Sequence, residues 1–200
     1  PVWGMLEKFA SAFLAGVPTI AKPATPTAYI AEAAVRTMLA SGLLPEGSLQ
    51  FVAGDITPIF GVLDEQDSLA FPGSAATAQS LRTIPAVLER GLRFSAEADS
   101  INAAVLAPSA GPDTAEFESF CDAVVGEMVT KAGQKCTAIR RVIVPDTQLD
   151  AISDALVARL EAITVGHPAD DATDMGALVG LDQRADVYAA VASVGARTVF

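Results

Sequence analysis

Apolar residues return along this chain in two alternating rhythms. From Trp3 to Ala15 and from Thr27 to Ser41 they recur every three or four positions, the spacing of one face of an α-helix. The second of these runs is stopped by Gly42 and Pro45. Short apolar runs lie between the helical ones. Pro18 to Ala21, Leu49 to Ala53, Ser68 to Phe71 and Leu92 to Ala96 each read as a strand. A short helix is predicted over Ile56 to Leu63, and a longer one over Ala75 to Glu89. The second half continues with a strand over Asn102 to Leu106 and a loop over Pro108 to Thr114. After it come a helix over Glu116 to Lys131, a β-branched strand over Ala138 to Val144 and an amphipathic helix over Gln148 to Ile163. A loop rich in Gly, Pro and Asp runs from Gly166 to Gly176, and a last helix from Asp182 to Val194. Strands alternating with helices of this length predict an α/β fold, a parallel sheet with helices on its faces.

Composition narrows the class. The 200 residues are 51% hydrophobic and 18% charged, which is a core-forming balance. A net charge of −11 argues against a nucleic-acid partner or a polybasic membrane anchor. No apolar run reaches the ~20 residues of a membrane span, since Lys8, Lys22, Glu32 and Arg36 interrupt the early ones. Two cysteines give no disulfide framework, which leads to an expected cytoplasmic location. The first residue is Pro1 rather than methionine, and the last residues, Arg197 to Phe200, read as a strand, so the chain is expected to be an internal fragment.

Chemistry concentrates at the ends of the predicted elements. Cys136 follows Gly133-Gln134-Lys135, between a helical run and a strand. A thiol at such a junction is exposed, near backbone N–H groups, and suited to nucleophilic attack. Free thiols titrate near ~8.5, so a nucleophilic site must favour the thiolate; Lys131, Lys135, Arg140 and Arg141 are the nearby cations. Glu97 ends another strand-like run and offers a carboxylate for a general base, a role for which an apolar site is expected. Each residue alone has a plainer reading, a buried packing thiol and a surface glutamate. Cys121, at core spacing from Phe117 and Val124, is read as packing. Arg140 and Arg141 are read as a charged strand edge. His167, the single histidine, has no clustered partners for a metal site or a triad.

Lys22 ends a strand, where open α/β sheets bind ligands. Gly73 and Ser74 open a helix whose N–H groups suit an anion, and Ser74 is an N-cap residue. Gly54 follows a strand, with Ile56 where a second glycine would complete a Gly-x-Gly. No G-x-G-x-x-G fingerprint is present.

Five blocks together resemble the aldehyde dehydrogenase family, in its order and over the whole chain. They are Pro1-Val-Trp3, Ala21-Lys22-Pro23-Ala24, Phe71-Pro-Gly-Ser74, Glu97 and Gly133-Gln-Lys-Cys136. The resemblance implies a Rossmann-type parallel-sheet cofactor domain, represented in part by residues 1–99. It implies the first part of a second α/β, nucleophile-bearing catalytic domain in residues 100–200. Cys136 would then be the nucleophile, its backbone N–H an oxyanion donor, and Glu97 the base that activates water. Lys22 and Thr25 would meet the adenosine ribose, with Gly54, Gly73 and Ser74 along the dinucleotide. The family often has a glutamate where Thr25 stands; a hydroxyl can donate to a 2′-phosphate that a carboxylate repels, so NADP is expected, with NAD the alternative. The blocks Glu97-Ala-Asp-Ser-Ile-Asn102 and Lys135-Cys-Thr-Ala-Ile-Arg-Arg141 are most similar to semialdehyde dehydrogenases of CoA-thioester aromatic degradation. The family's common Glu-Leu-Gly-Gly is Glu97-Ala-Asp-Ser100 here, and its usual Thr is Pro72. The reaction that the resemblance implies is oxidation of a small-molecule aldehyde, a CoA-linked aliphatic semialdehyde, to the free acid by a homo-oligomeric parent. A CoA-acylating enzyme and a non-catalytic nucleotide-binding fragment are the two other readings; a glutamate at position 97 argues for hydrolysis.

Overall fold

The computed structural model describes residues 2–200; Pro1, the first residue of the Pro1-Val-Trp3 block, lies outside them. The chain forms two compact units, Pro1–Asp99 and Ser100–Phe200.

In the first unit the elements run α1 (Trp3–Leu14), β1 (Thr19–Ala21), α2 (Ala28–Ala40), β2 (Leu49–Phe51), β3 (Ser68–Gly73), α3 (Ala75–Arg82), α4 (Pro85–Leu88) and β4 (Arg93–Ala98). The run predicted as a helix from Ile56 to Leu63 is a 3₁₀ turn, Thr57–Gly61. The helix predicted over Ala75 to Glu89 is two helices. Ile84, which precedes Pro85, is extended at φ −69°, ψ 145°. A proline ring clashes with an α-conformation in the residue before it, so the helix ends and restarts with Pro85 in its first turn.

β1 and β2 pair in parallel, Thr19 opposite Leu49 and Ala21 opposite Phe51. β3 and β4 do the same from Ser68–Arg93 to Gly73–Ala98. A parallel pair needs a crossover connection, which α2 supplies to the first ladder and α3 with α4 to the second. Phe9 of α1, Ala21, Val35 of α2 and Leu49 form the buried cluster beside the first ladder, with Met5, Phe13, Met38, Leu44 and Phe51 against it. Phe9, Phe13, Val35 and Met38 fall in the two predicted helical runs, and Ala21, Leu49 and Phe51 in predicted strands.

The second unit runs β5 (Asn102–Val105), α5 (Ala115–Val129), β6 (Ile139–Ile143), α6 (Leu149–Glu161), β7 (Val165–Gly166), β8 (Met175–Gly176) and α7 (Leu181–Val194). β5 and β6 are parallel, and β7 and β8 are parallel at the two ends of the segment read from sequence as loop, Gly166 to Gly176. The ladders among the described residues are therefore all parallel, hydrogen-bonded as two-stranded pairs. Thr114 caps α5 by accepting the Phe117 N–H at 3.3 Å, a cap worth about 1 kcal/mol. Leu106, Ala110, Phe117, Cys121 and Ile152 form this unit's core. Cys121 is fully buried, as its spacing predicts, and burial raises its thiol above the ordinary value. Arg159 of α6 donates to Asp122 at 2.8 Å and to Glu118, both on α5. No helix among the described residues is long and apolar enough to cross a membrane.

Candidate active site

Cys136 lies in the loop between α5 and β6 and is exposed, in contrast to Cys121. The approach to it is sharply bent. Lys131, Ala132 and Gly133 all take left-handed backbone conformations, at φ 55°, 53° and 68°. Only glycine does so freely, so Lys131 and Ala132 carry roughly 1 kcal/mol of strain each. The bend ends the helical run at Val129 rather than Lys131. Local bonds hold it. Gln134 donates its N–H to the Lys131 carbonyl at 3.0 Å and its side-chain amide to the same oxygen at 3.1 Å.

The Cys136 carbonyl accepts from Asn102 Nδ2 at 2.7 Å and from the Ser100 hydroxyl. Neither residue was singled out from sequence; they stand 34 and 36 positions away, and no local spacing links them. The N–H groups of Cys136 and Thr137 have no acceptor among the described residues. Three of the four cations expected near the thiol are otherwise engaged. Lys135 Nζ pairs with Glu127 at 2.9 Å. Arg140 donates to the Gly133 carbonyl at 2.9 Å, and Arg141 to the Ile101 carbonyl at 3.0 Å. An open apolar depression of about 620 Å³ borders the loop at Ala132, with Met175, Leu181 and Tyr188 among its walls.

In the first unit the predicted residues collect at the carboxyl ends of the strands, where ligands of open α/β sheets sit. Lys22 follows β1 directly and is exposed; Thr25 begins a 3₁₀ turn three positions on. Gly54 follows β2 with φ +105°, a backbone that only glycine adopts without strain, and a Cβ there would meet nothing within 4 Å. Asp55, which sequence reasoning passed over, accepts the Thr57 hydroxyl at 2.6 Å and the Thr57 N–H at 2.9 Å. These bonds, with the Lys22 charge acting in the same direction, hold its carboxyl below the ordinary value.

β3 ends at Gly73, where an added Cβ would run into the Phe71 ring at 2.4 Å. Ser74 caps α3 by accepting the Thr77 N–H at 3.2 Å. The Ala75 N–H is also engaged, by Asp99 Oδ1 at 3.2 Å. Asp99 itself has φ 52° and donates its own N–H to the Gly73 carbonyl at 3.2 Å. Glu97 sits on β4 opposite Pro72, its side chain 61% exposed and 3.3 Å from Lys8 Nζ. An exposed ion pair thus replaces the apolar surroundings expected of the base, because α1 brings Lys8 over the end of β4.

Known proteins share both the sequence pattern and the fold. The model of the aldehyde dehydrogenase family matches residues 1–198. The chain is 42% identical over 194 residues to a 3,4-dehydroadipyl-CoA semialdehyde dehydrogenase of Aromatoleum evansii, covering 97% of this chain and 38% of that protein. Among solved structures, a proline utilization A variant of Bradyrhizobium japonicum is similar at TM-score 0.83 and 28% identity, over 98% of this chain and 20% of that one. An oxidoreductase from Marinobacter aquaeolei is similar at TM-score 0.83 and 25% identity, over 98% of this chain and 40% of that one. The chain belongs to the aldehyde dehydrogenase family. It spans 38% of the length of the Aromatoleum relative.

Proposed function

We propose that the protein containing this chain oxidises an aldehyde to its acid with NAD(P), through a thioester on Cys136. The observation that carries the reading is the exposed Cys136 thiol on a loop whose carbonyls are tied back by side chains. The 42% identity to a semialdehyde dehydrogenase supports the substrate class, a semialdehyde carried on CoA.

The residues present suit a dinucleotide. Lys22 offers an exposed cation, Gly54 an open backbone, and both stand at strand ends. Lys22 and Thr25 would hold the adenosine ribose, and Gly54, Gly73 and Ser74 the chain of phosphates. When bound, the nicotinamide supplies a hydride acceptor. Thr25, a neutral hydroxyl, supports NADP. Asp55, a carboxylate within the field of Lys22, favours NAD.

The Cys136 thiolate attacks the aldehyde carbon, forming a C–S bond and placing negative charge on the oxygen. The Cys136 N–H, which has no acceptor among the described residues, is a donor for that charge. Loss of hydride from the same carbon leaves a thioester. Glu97 then takes a proton from water, the hydroxide adds to the thioester carbon, and the C–S bond breaks to release the acid and the thiolate. The test is aldehyde-dependent nicotinamide reduction by Cys136→Ala. Loss of turnover in a folded variant supports the reading, and retained turnover removes it.

A further inference from the structure

Around Cys136 four loop carbonyls accept hydrogen bonds, while three consecutive N–H groups have no acceptor among the described residues. The Gly133 carbonyl accepts from Arg140 Nη2 at 2.9 Å. The Lys135 carbonyl accepts from the Ala138 N–H at 3.2 Å and from the same guanidinium at 3.4 Å. The Cys136 carbonyl accepts from Asn102 Nδ2 at 2.7 Å and from the Ser100 hydroxyl, and the Ala138 carbonyl from Asn102 Nδ2 at 3.1 Å. By contrast, the N–H groups of Lys135, Cys136 and Thr137 have no acceptor among the described residues.

We propose that Asn102, assisted by Ser100 and Arg140, is a positioning residue that fixes the peptide planes on either side of Cys136. The proposal rests on the reading of Cys136 as the nucleophile. A trans peptide holds its carbonyl and its N–H on opposite sides. Binding the Cys136 carbonyl therefore sets the direction of the Thr137 N–H and the ψ angle of Cys136. Binding the Lys135 carbonyl sets the direction of the Cys136 N–H. If either plane turned over, a carbonyl oxygen would face the thiolate and the developing oxyanion in place of a donor.

The residue type follows from a local break in the ladder. The pairing of β5 with β6 slips between Asn102 and Ala103, from Asn102–Ile139 to Ala103–Arg141. The carbonyls of Cys136 and Ala138 lie at this irregular end. An asparagine amide carries two hydrogens on one nitrogen, enough for both. Aspartate has the same shape and no donor; serine has one.

The experiment is made on the whole protein with Asn102→Asp, Asn102→Ala, Ser100→Ala and Ser100→Thr. Melting temperature, kcat, the KM for nucleotide and the pH profile of Cys136 alkylation by iodoacetamide are measured for each. The positioning role requires kcat of Asn102→Asp to fall by about 100-fold per folded molecule with nucleotide KM within about twofold. The alkylation profile moves to higher pH, Ser100→Ala shows a smaller loss, and Ser100→Thr restores it. Folded Asn102 variants with unchanged kcat and alkylation profile overturn the proposal. If they do not fold, the Ser100 pair decides it: a loss in Ser100→Ala recovered in Ser100→Thr supports the proposal, and equality with the wild type overturns it. Cys136→Ala separates the two levels. Turnover retained there refutes the nucleophile itself, and the alkylation profiles still decide the clamp.

Discussion

Lys8 Nζ on α1 stands 3.3 Å from Glu97 Oε2 on β4. The hydrogen bond to Glu97 is the largest influence raising the Lys8 ammonium above its ordinary value; burial opposes it and Glu7 adds to it. The contact links α1 to the carboxylate proposed to activate water. Glu97→Gln keeps the side-chain shape and removes the basic oxygen. It is expected to give one burst of reduced nicotinamide and then stall, with steady-state turnover down by about 10²–10⁴-fold. Rapid-mixing absorbance checks this; a variant with full steady-state turnover would exclude Glu97 as the base. Lys8→Met should keep the burst, since the thiol step does not involve Lys8.

The helix α3 carries an acceptor of its own on the Ala75 N–H, the Asp99 carboxylate. A pyrophosphate placed at Gly73 and Ser74, as proposed, would meet that negative charge. Asp99→Gly removes the charge, and glycine accepts φ 52° without strain. The nucleotide KM is expected to fall roughly 3- to 10-fold, by the arithmetic of about 1 kcal/mol for a screened charge near a helix end. An unchanged KM places the phosphates elsewhere.

In the proposed site, Thr25 and Asp55 would bias the cofactor preference in opposite directions. Thr25→Glu is expected to raise the KM for NADP by more than about tenfold while leaving NAD within a few-fold. Asp55→Asn should improve NADP, since it removes a carboxylate that lies within the field of Lys22. Steady-state kinetics with both nucleotides reads the two shifts directly.

Cys121 makes stability fall on the alkaline side. Its thiol is raised chiefly by burial, so the folded state holds the proton more tightly than the unfolded chain. That contribution is fully present below the unfolded value of ~8.5 and is lost as pH rises through the folded value. Thermal melts of the wild type should therefore drop above about pH 8.5. Cys121→Ala, less stable overall, should show a flatter curve there. Parallel curves would mean that the thiol is not desolvated.

Much of the scaffold was legible because burial imposes a period. The apolar spacing of Trp3–Leu14, Ala28–Ala40 and Leu149–Glu161 marks the buried faces, and those helices match the expected runs to within a few residues. Pro85 carried a signal that the longer apolar pattern masked. The two-residue ladder of β7 and β8 is too short to leave a period in the sequence. Among the candidate site residues, Cys136 and Glu97 stand out in the sequence as chemistry-bearing side chains at element ends. Their neighbours were not. Lys8, Asp99, Ser100 and Asn102 act across folded distance, and a polar residue's partner leaves no mark in its own neighbourhood. The polar environment of Glu97 is hidden for the same reason, since the fold alone brings Lys8 to it.

The most direct measurement is the alkylation rate of each cysteine at neutral pH, mapped by mass spectrometry with and without NADP. Cys136 should react at least about tenfold faster than buried Cys121, and nucleotide should change the Cys136 rate. Equal rates that ignore the nucleotide would contradict an activated thiol beside a cofactor site.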